Sequence, residues 1–169
     1  MPTLPRVLQK FAQGEYPLPA FHFEVRWSAN NGEEVKGSFT EVSGLNREIQ
    51  LLEYRDGVTR EYATVKIPGM RKDNNVTLKR GVFHGNNELY EWWLKVSVLE
   101  QPDKRTVTIN LLGEDHQPRV TWTLHNAWIL KLDSPGFKAD GNDVAVESAE
   151  LVFERMEISH ENKLAFIRK

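Results

Sequence analysis

The chain has 169 residues, enough for one domain, and 40% of them are hydrophobic, which suffices for a sizeable core. Its formal net charge of −2 gives no overall positive field, which argues against a nonspecific nucleic-acid binder. There is no cysteine, so disulfides, thiolate zinc sites and cysteine nucleophiles are excluded.

The first 19 residues are predicted to form an N-terminal arm rather than a regular element. Pro2, Pro5, Pro17 and Pro19 interrupt it, and it lacks the uninterrupted apolar stretch of a signal peptide. Such an arm either frays or docks onto a neighbouring molecule. Because no run approaches the length of a membrane span, we expect the chain to be made and folded in the cytoplasm.

Residues 21–43 are predicted to form two strands joined by a hairpin turn. In the first strand, Phe21–Trp27, apolar side chains alternate with polar ones such as Glu24 and Arg26. Asn30-Asn31-Gly32 tolerates the positive φ that hairpin turns need. A second strand then follows over about 34–43.

Residues 46–66 form a long segment in which apolar side chains are mixed with many charges. Ile49, Leu51 and Tyr54 are among the apolar ones, and Asp56-Gly57 marks a turn near the middle. A loop of this length in a compact domain is usually functional or disordered, and its apolar content argues against disorder. We therefore predict a projecting hairpin that packs on another subunit.

Residues 67–93 combine a turn, a short basic strand and the start of a helix. Pro68-Gly69 predicts the turn, and Val76–Gly81 alternates as a strand does. The side-chain oxygen of Asn86 or Asn87 can accept an unpaired N–H at the helix start. The helix is predicted over about residues 86–97, with an apolar face made by Leu89, Trp92, Trp93 and Val96.

The C-terminal part is predicted to consist of antiparallel strands. Two alternating segments within residues 106–132 are joined by a tight turn at 113–116. A loop over 134–142 leads to a last strand, about 143–159, with a bulge near Ser148. The predicted fold class is therefore mainly β: an antiparallel β-sandwich or barrel-like sheet with one flanking helix.

The sequence contains no recognisable catalytic or metal-binding pattern. No two of the five histidines have the i,i+4 spacing of a helical metal site. Glu114-Asp115-His116 suits a solvated turn better than an acid–base cluster, and Asp140–Asp143 lacks calcium-loop spacing. There is no glycine-rich phosphate loop and no serine in a nucleophile elbow, so we expect no enzyme activity, no metal and no cofactor.

A local basic cluster precedes the helix and consists of Lys66, Arg71, Lys72, Lys79 and Arg80. It could contact nucleic acid, or it could be a solvated sheet edge that discourages wrong strand pairing. It could also contact an acidic patch of a neighbouring subunit, drawn from Glu147, Glu150, Glu154 and Glu157. The second and third interpretations are favoured over the first.

Several segments together resemble the tail-tube proteins of contractile phages and extracellular contractile injection systems. The matching pieces are Pro68-Gly69, the strand NVTLKRG, the helix start NNELYEWW, the segments FHFEVRW and FTEVSGL, and Trp122–Ile158. They span roughly residues 17–159 and are specific as a combination. The resemblance implies a tail-tube-like fold and a structural subunit of hexameric rings, which stack into a hollow inner tube that is propelled into a target.

The resemblance also implies partners and candidate surfaces. The partners would be further copies of the chain, sheath, baseplate or spike and terminator proteins, and cargo in the lumen. Subunit-interface candidates are Ile49, Leu51, Leu52, Tyr54, Arg55, Asp56, Arg60, Tyr62, Lys79 and Arg80. Lumen-face candidates are Glu24, Arg26, Thr108, Asn110, Thr121 and Thr123, although an ordinary solvated sheet face would show the same polar pattern.

Two other functions stay open at this point. The first is a secreted free hexameric ring that carries or chaperones effectors, resembling the haemolysin-coregulated proteins of type VI secretion. The second is a small β-rich hydrolase or binding domain, which would need a deep pocket with converging polar groups.

Overall fold

The computed structural model describes residues 17–28, 32–55, 57, 64–98 and 103–160. Within them the elements are β1 (Phe23–Ser28), β2 (Glu34–Gly37), β3 (Glu41–Ser43), β4 (Arg47–Tyr54), β5 (Val65–Asp73), β6 (Val76–Gly81), α1 (Glu88–Ser97), β7 (Arg105–Leu112), β8 (Pro118–Asp133), β9 (Val146–Val152) and β10 (Arg155–His160). The predicted class, mainly β and antiparallel with one flanking helix, is confirmed.

Two antiparallel sheets share strand β8. Sheet A has the order β2-β1-β7-β8-β10, and sheet B has the order β8-β9-β6-β3. The first half of β8 pairs with β7 and β10, and the part from Trp128 onward pairs with β9. Between these parts Asn126 has a φ of 53°, a left-handed conformation that asparagine tolerates. This kink lets one strand turn the corner from one sheet to the other.

Both sheets contribute to one hydrophobic core. Val25, Val107 and Leu124 come from sheet A, and Leu78 and Leu151 come from sheet B; all five are at most 1% exposed. Because successive strand residues point to opposite faces, the residues between the core positions of sheet A form a second face. That second face is polar.

Helix α1 covers the core-facing side of sheet A. Leu89 and Trp92 are buried, and the Trp92 ring stacks on Trp27 with a centroid distance of 6.4 Å. The indole N–H of Trp92 donates to the Asp103 carbonyl at 2.9 Å, and the Arg105 guanidinium lies 4.8 Å from the ring centroid. The predicted helix and its apolar face are therefore confirmed, and the helix lies opposite the polar face of the sheet.

The helix begins at Glu88, slightly later than predicted. Asn87 occupies the N-cap position, but its side chain makes no capping hydrogen bond. Instead, Asn86 Oδ1 accepts from the Glu88 N–H at 3.2 Å. Of the two candidate caps, Asn86 is the residue whose side chain satisfies a helix N–H.

Strands β4 and β5 form a separate two-stranded sheet that extends to Asp73, beyond the segment 46–66 in which a hairpin was predicted. The predicted turn at Pro68-Gly69 is wrong, because both residues lie inside β5, where Pro68 faces Leu51. The register shifts between Ile49 and Leu51, and a bulge tolerates the missing N–H of proline. A Cβ on Gly69 would lie 2.9 Å from the Gln50 carbonyl oxygen, so glycine permits this close approach.

Two of the predicted strands are each divided in the structure. Residues 34–43 form β2 and β3, which lie at the outer ends of different sheets. Residues 143–159 form β9 and β10, which separate at Glu154, where its N–H donates to the His125 carbonyl at 3.1 Å. The bulge predicted near Ser148 does not lie in β9, which pairs with β6 without a register shift. A nearby irregularity lies instead in the partner strand β8, between Ile129 and Lys131, opposite Leu151 and Glu150.

Candidate assembly surfaces

The polar face of sheet A brings together all six residues that were predicted to face a lumen. Strand pairing places them in two cross-strand rows, Glu24–Asn110–Thr121 and Arg26–Thr108–Thr123. Residues directly opposite each other in an antiparallel pair share a face of the sheet. The two rows therefore form one continuous polar surface across β1, β7 and β8.

A hydrogen-bond network holds this surface together around Glu24, which is 7% exposed. Its carboxylate contacts Arg26 Nη2 at 2.8 Å and Lys36 Nζ at 2.9 Å, and accepts from Asn110 Nδ2 at 2.9 Å. The Thr121 hydroxyl donates to Asn110 Oδ1 at 2.8 Å. Burial alone would raise the pKa of Glu24, but the Lys36 and Asn110 hydrogen bonds and the nearby positive charges lower it overall.

The charged residues of the two outer strands of sheet A also have oppositely charged neighbours. On β2, Glu34 lies 3.4 Å from Arg26 Nη1. On β10, Glu157 lies 3.0 Å from Arg155 Nη2. Positive and negative charges thus alternate over the polar face, and neither sign dominates it.

The β4–β5 hairpin presents an exposed apolar face. Leu52 pairs with Ile67 and Tyr54 pairs with Val65, and these four side chains lie on the same side of the hairpin. They are 45–61% exposed. An isolated two-stranded hairpin is at best marginally stable in water, so this surface has the character of an interface.

The remaining hairpin candidates fall into two groups. Ile49 and Leu51 are 57% and 56% exposed and lie on the other side of β4. Asp56, Arg60 and Tyr62 lie outside the described residues, as does most of the N-terminal arm, and Arg55 directly follows β4.

Arg80 is an internal residue rather than a surface one, contrary to its place among the interface candidates. Its side chain is 4% exposed, and its Nε lies 2.5 Å from Glu147 Oε1. Its Nη2 donates to Asn86 Oδ1 at 3.3 Å, and its Nη1 lies 3.9 Å from Glu88. Arg80 therefore ties sheet B to the start of α1. Its neighbour Lys79 is 41% exposed and pairs with Glu41 at 2.9 Å.

The sheet-edge interpretation of the basic cluster is wrong for Lys79 and Arg80, because β6 lies between β9 and β3. Lys66, Arg71 and Lys72 lie on β5, which pairs only with β4 among the described strands. The proposed acidic patch also has partners within the chain. Besides the Arg80–Glu147 pair, Glu150 accepts from Asn75 Nδ2 at 2.7 Å, and Glu154 lies 2.6 Å from Lys104 Nζ. The strand register thus places acidic and basic groups of one chain together, which sequence spacing cannot show.

Sequence reasoning missed two groups of exposed apolar side chains, one in the connection before α1 and one on α1 itself. The Val82 N–H donates to the Ala145 carbonyl at 2.9 Å, which joins the connection before α1 to the loop before β9. Around this joint Val82 is 50% and Val144 77% exposed. On the helix, Tyr90 and Leu94 are 50% and 41% exposed, and their i,i+4 spacing away from the buried face was the signal that could have revealed this second group.

Among the described side chains, no group of three or more His, Cys, Asp or Glu lies close enough to hold a metal ion. The one helix in the same part of the chain is too short and too polar to span a membrane.

The chain is similar to known proteins in both sequence and structure. The sequence model of the T4-like virus tail tube protein gp19 family matches residues 19–157. A search of curated protein sequences found no match. A chain of the PVC sheath–tube complex, from an extracellular contractile injection system, is 34% identical with a TM-score of 0.75, and the match covers 92% of this chain and 99% of that one.

Two further structures are similar to different degrees. A chain of the anti-feeding prophage cap, described as a tube-terminating cap, is 35% identical with a TM-score of 0.74; the match covers 86% of this chain and 92% of that one. Hcp1 from E. coli EAEC 042 is 15% identical with a TM-score of 0.54, covering 85% and 94%. This last likeness shows a shared fold alone.

The fold and the family match thus define a structural tube protein, and the sequence-based identification is confirmed. The chain belongs to the T4-like virus tail tube protein gp19 family. It is a tail-tube protein of contractile injection systems.

Proposed function

We propose that this chain forms hexameric rings that stack into the inner tube of a contractile injection particle, with the polar face of sheet A lining the lumen. The observation that carries the proposal is the continuous polar surface around Glu24, which lies on the opposite side of the sheet from the core and α1. A sheet face that lines a water-filled lumen needs polar side chains along every strand, and the rows of threonine, asparagine and paired charges provide them.

The β4–β5 hairpin is the proposed contact between subunits or between successive rings. Its four-residue apolar face is exposed in the single chain, and burying apolar surface stabilises an interface by about 25 cal/mol per Å². Ile49, Leu51 and Arg55 extend this contact surface, and Asp56, Arg60 and Tyr62 remain proposed members of it. The N-terminal arm is a second proposed contact.

The proposed partners follow from the assembly. Sheath would surround the tube, a baseplate or spike would sit at its tip, a terminator at its end, and cargo would pass through the lumen. The subunit would act mechanically and without a cofactor or enzymatic step. It would be assembled in the cytoplasm and then become part of a phage tail or a released particle.

Negative-stain microscopy of the purified chain tests the assembly, with or without its sheath. Stacked rings or tubes are expected. Free rings that never stack would instead favour the type VI carrier function, and a monomer at all concentrations would contradict both ring proposals.

Site-specific labelling tests which face lines the lumen. Because the chain has no cysteine, Thr123→Cys introduces a single thiol on the polar face, and Glu91→Cys places a matched thiol on the exposed side of α1. In assembled tubes a bulky polymer-linked maleimide should label the helix thiol and spare the one on the sheet. Equal labelling of both would contradict the lumen assignment, provided that both react in the dissociated chain.

A further inference from the structure

Sheet A ends in two strands that, within the described part of the chain, pair on one side only. Strand β2 pairs with β1, and β10 pairs with β8. Every pairing between them is antiparallel, so strand direction reverses four times from β2 to β10. The two outer strands therefore run in the same direction. In a ring of identically oriented copies, β10 of one copy would meet β2 of the next as a parallel strand.

Each outer strand carries one acidic and one basic side chain on the polar face. Along β2 these are Glu34 and then Lys36, and along β10 they are Arg155 and then Glu157. Their side chains are 65%, 66%, 65% and 55% exposed, respectively. The order of the signs is opposite in the two strands.

The sheet register aligns these charges. Lys36 and Glu157 lie at opposite ends of the row Arg26–Thr108–Thr123, and Glu34 and Arg155 lie two residues earlier in their strands. If the rows of neighbouring copies continue into one another, Lys36 faces Glu157 and Glu34 faces Arg155. Both contacts are attractive.

The alternative ways of joining β2 to β10 are repulsive. An antiparallel arrangement places Glu34 against Glu157 and Lys36 against Arg155. A parallel arrangement slipped by two residues also brings together two like charges. Like charges directly opposite destabilise a strand pair.

From this pattern we infer that the charges at the two edges of sheet A select a parallel, in-register junction between β2 of one copy and β10 of the next. The partner is thus a second copy of this chain, and the junction fixes both the direction and the register of ring closure. The inference rests on the proposed ring and names the residues that close it.

Charge reversal on one edge, followed by reversal on both, tests the junction. Glu34→Lys with Lys36→Glu should raise the protein concentration at half-assembly by roughly tenfold or more, because two attractive contacts become repulsive. Arg155→Glu with Glu157→Arg should do the same. The four-residue combination should restore assembly. Mass photometry over a dilution series at low salt measures this, and the difference should shrink at about 0.5 M salt, where charges are screened.

The four-residue variant also controls for the loss of contacts within the subunit. Reversal at Lys36 and Glu34 disturbs their contacts with Glu24 and Arg26, but the combined variant carries the same disturbance. A matched control reverses Lys131 and Asp133, an exposed pair two residues apart in the other half of β8. This control should assemble as the unmodified chain does.

Each other outcome contradicts the inference in a distinct way. Rings that form equally well in every variant would overturn the edge junction and leave the ring proposal standing. If two copies instead paired β2 with β2, or β10 with β10, about a two-fold axis, charge reversal would leave assembly unchanged. A strand in which both charges are reversed is still complementary to a second copy of itself. Assembly that is lost in the two-residue variants and not restored in the four-residue variant would also overturn the junction. An unmodified chain that never assembles would refute the ring itself.

Discussion

Replacing Arg80 with alanine should destabilise the subunit by about 3 kcal/mol. The Arg80 guanidinium is almost fully enclosed, and its partner Glu147 is 19% exposed. Breaking a buried ion pair typically costs about 3–5 kcal/mol, because the remaining charge is left without its partner. Glu147 keeps some contact with water, which places the expected loss near the lower end. The Arg80 contact with Asn86, which caps α1, is lost as well.

Urea unfolding followed by tryptophan fluorescence, at a concentration where the chain is unassembled, measures this loss. The matched control is Lys79→Ala on the same strand, where an exposed pair with Glu41 is removed. Exposed pairs contribute about 0.2–1 kcal/mol, so the control should lose far less. Equal losses for the two variants would show that the burial of Arg80 does not determine the contribution of its ion pair.

Three further outcomes are expected. Leu51→Asp with Leu52→Asp should leave the chain folded by circular dichroism but unable to form tubes in negative stain; tubes from this variant would contradict the hairpin contact. Glu24 has a folded-state pKa below its ordinary value of 4.5, so its ionised form stabilises the fold above that value, and the stabilisation is lost as pH falls through the lowered pKa. Glu24→Gln should flatten this acid dependence of the unfolding midpoint, and an unchanged slope would contradict it. Trp92→Phe removes the hydrogen bond to the Asp103 carbonyl and should cost about 1–2 kcal/mol in urea unfolding, whereas no loss would contradict a contribution from that bond.

The sequence predicted those features that depend on local periodicity. Alternation in β1, β7 and β8 placed Glu24 and Asn110 on one face, and the structure brings them into hydrogen-bond contact. The i,i+3 and i,i+4 spacing of Leu89, Trp92, Trp93 and Val96 predicted the buried side of α1. These patterns repeat every few residues, so they can be recognised from the sequence alone.

The features that were missed depend on pairing between distant segments. Pro68-Gly69 has the composition of a turn, but the opposing strand draws it into a bulged hairpin. Arg80 was expected at the surface, yet its burial follows from the pairing of β6 with β9, more than sixty residues further along the chain. Likewise, the complementary charges of β2 and β10 become visible only once the order and direction of the strands are known.

The shared strand β8 has a mechanical consequence. Because its 16 residues run without interruption through both sheets, a force applied to either layer is carried to the other by covalent backbone as well as by packed side chains. Pulling β8 out of one sheet therefore also loads the hydrogen bonds on the other side of the Asn126 kink. The subunit should therefore resist axial force as a single stiff element, a useful property in the proposed injection tube.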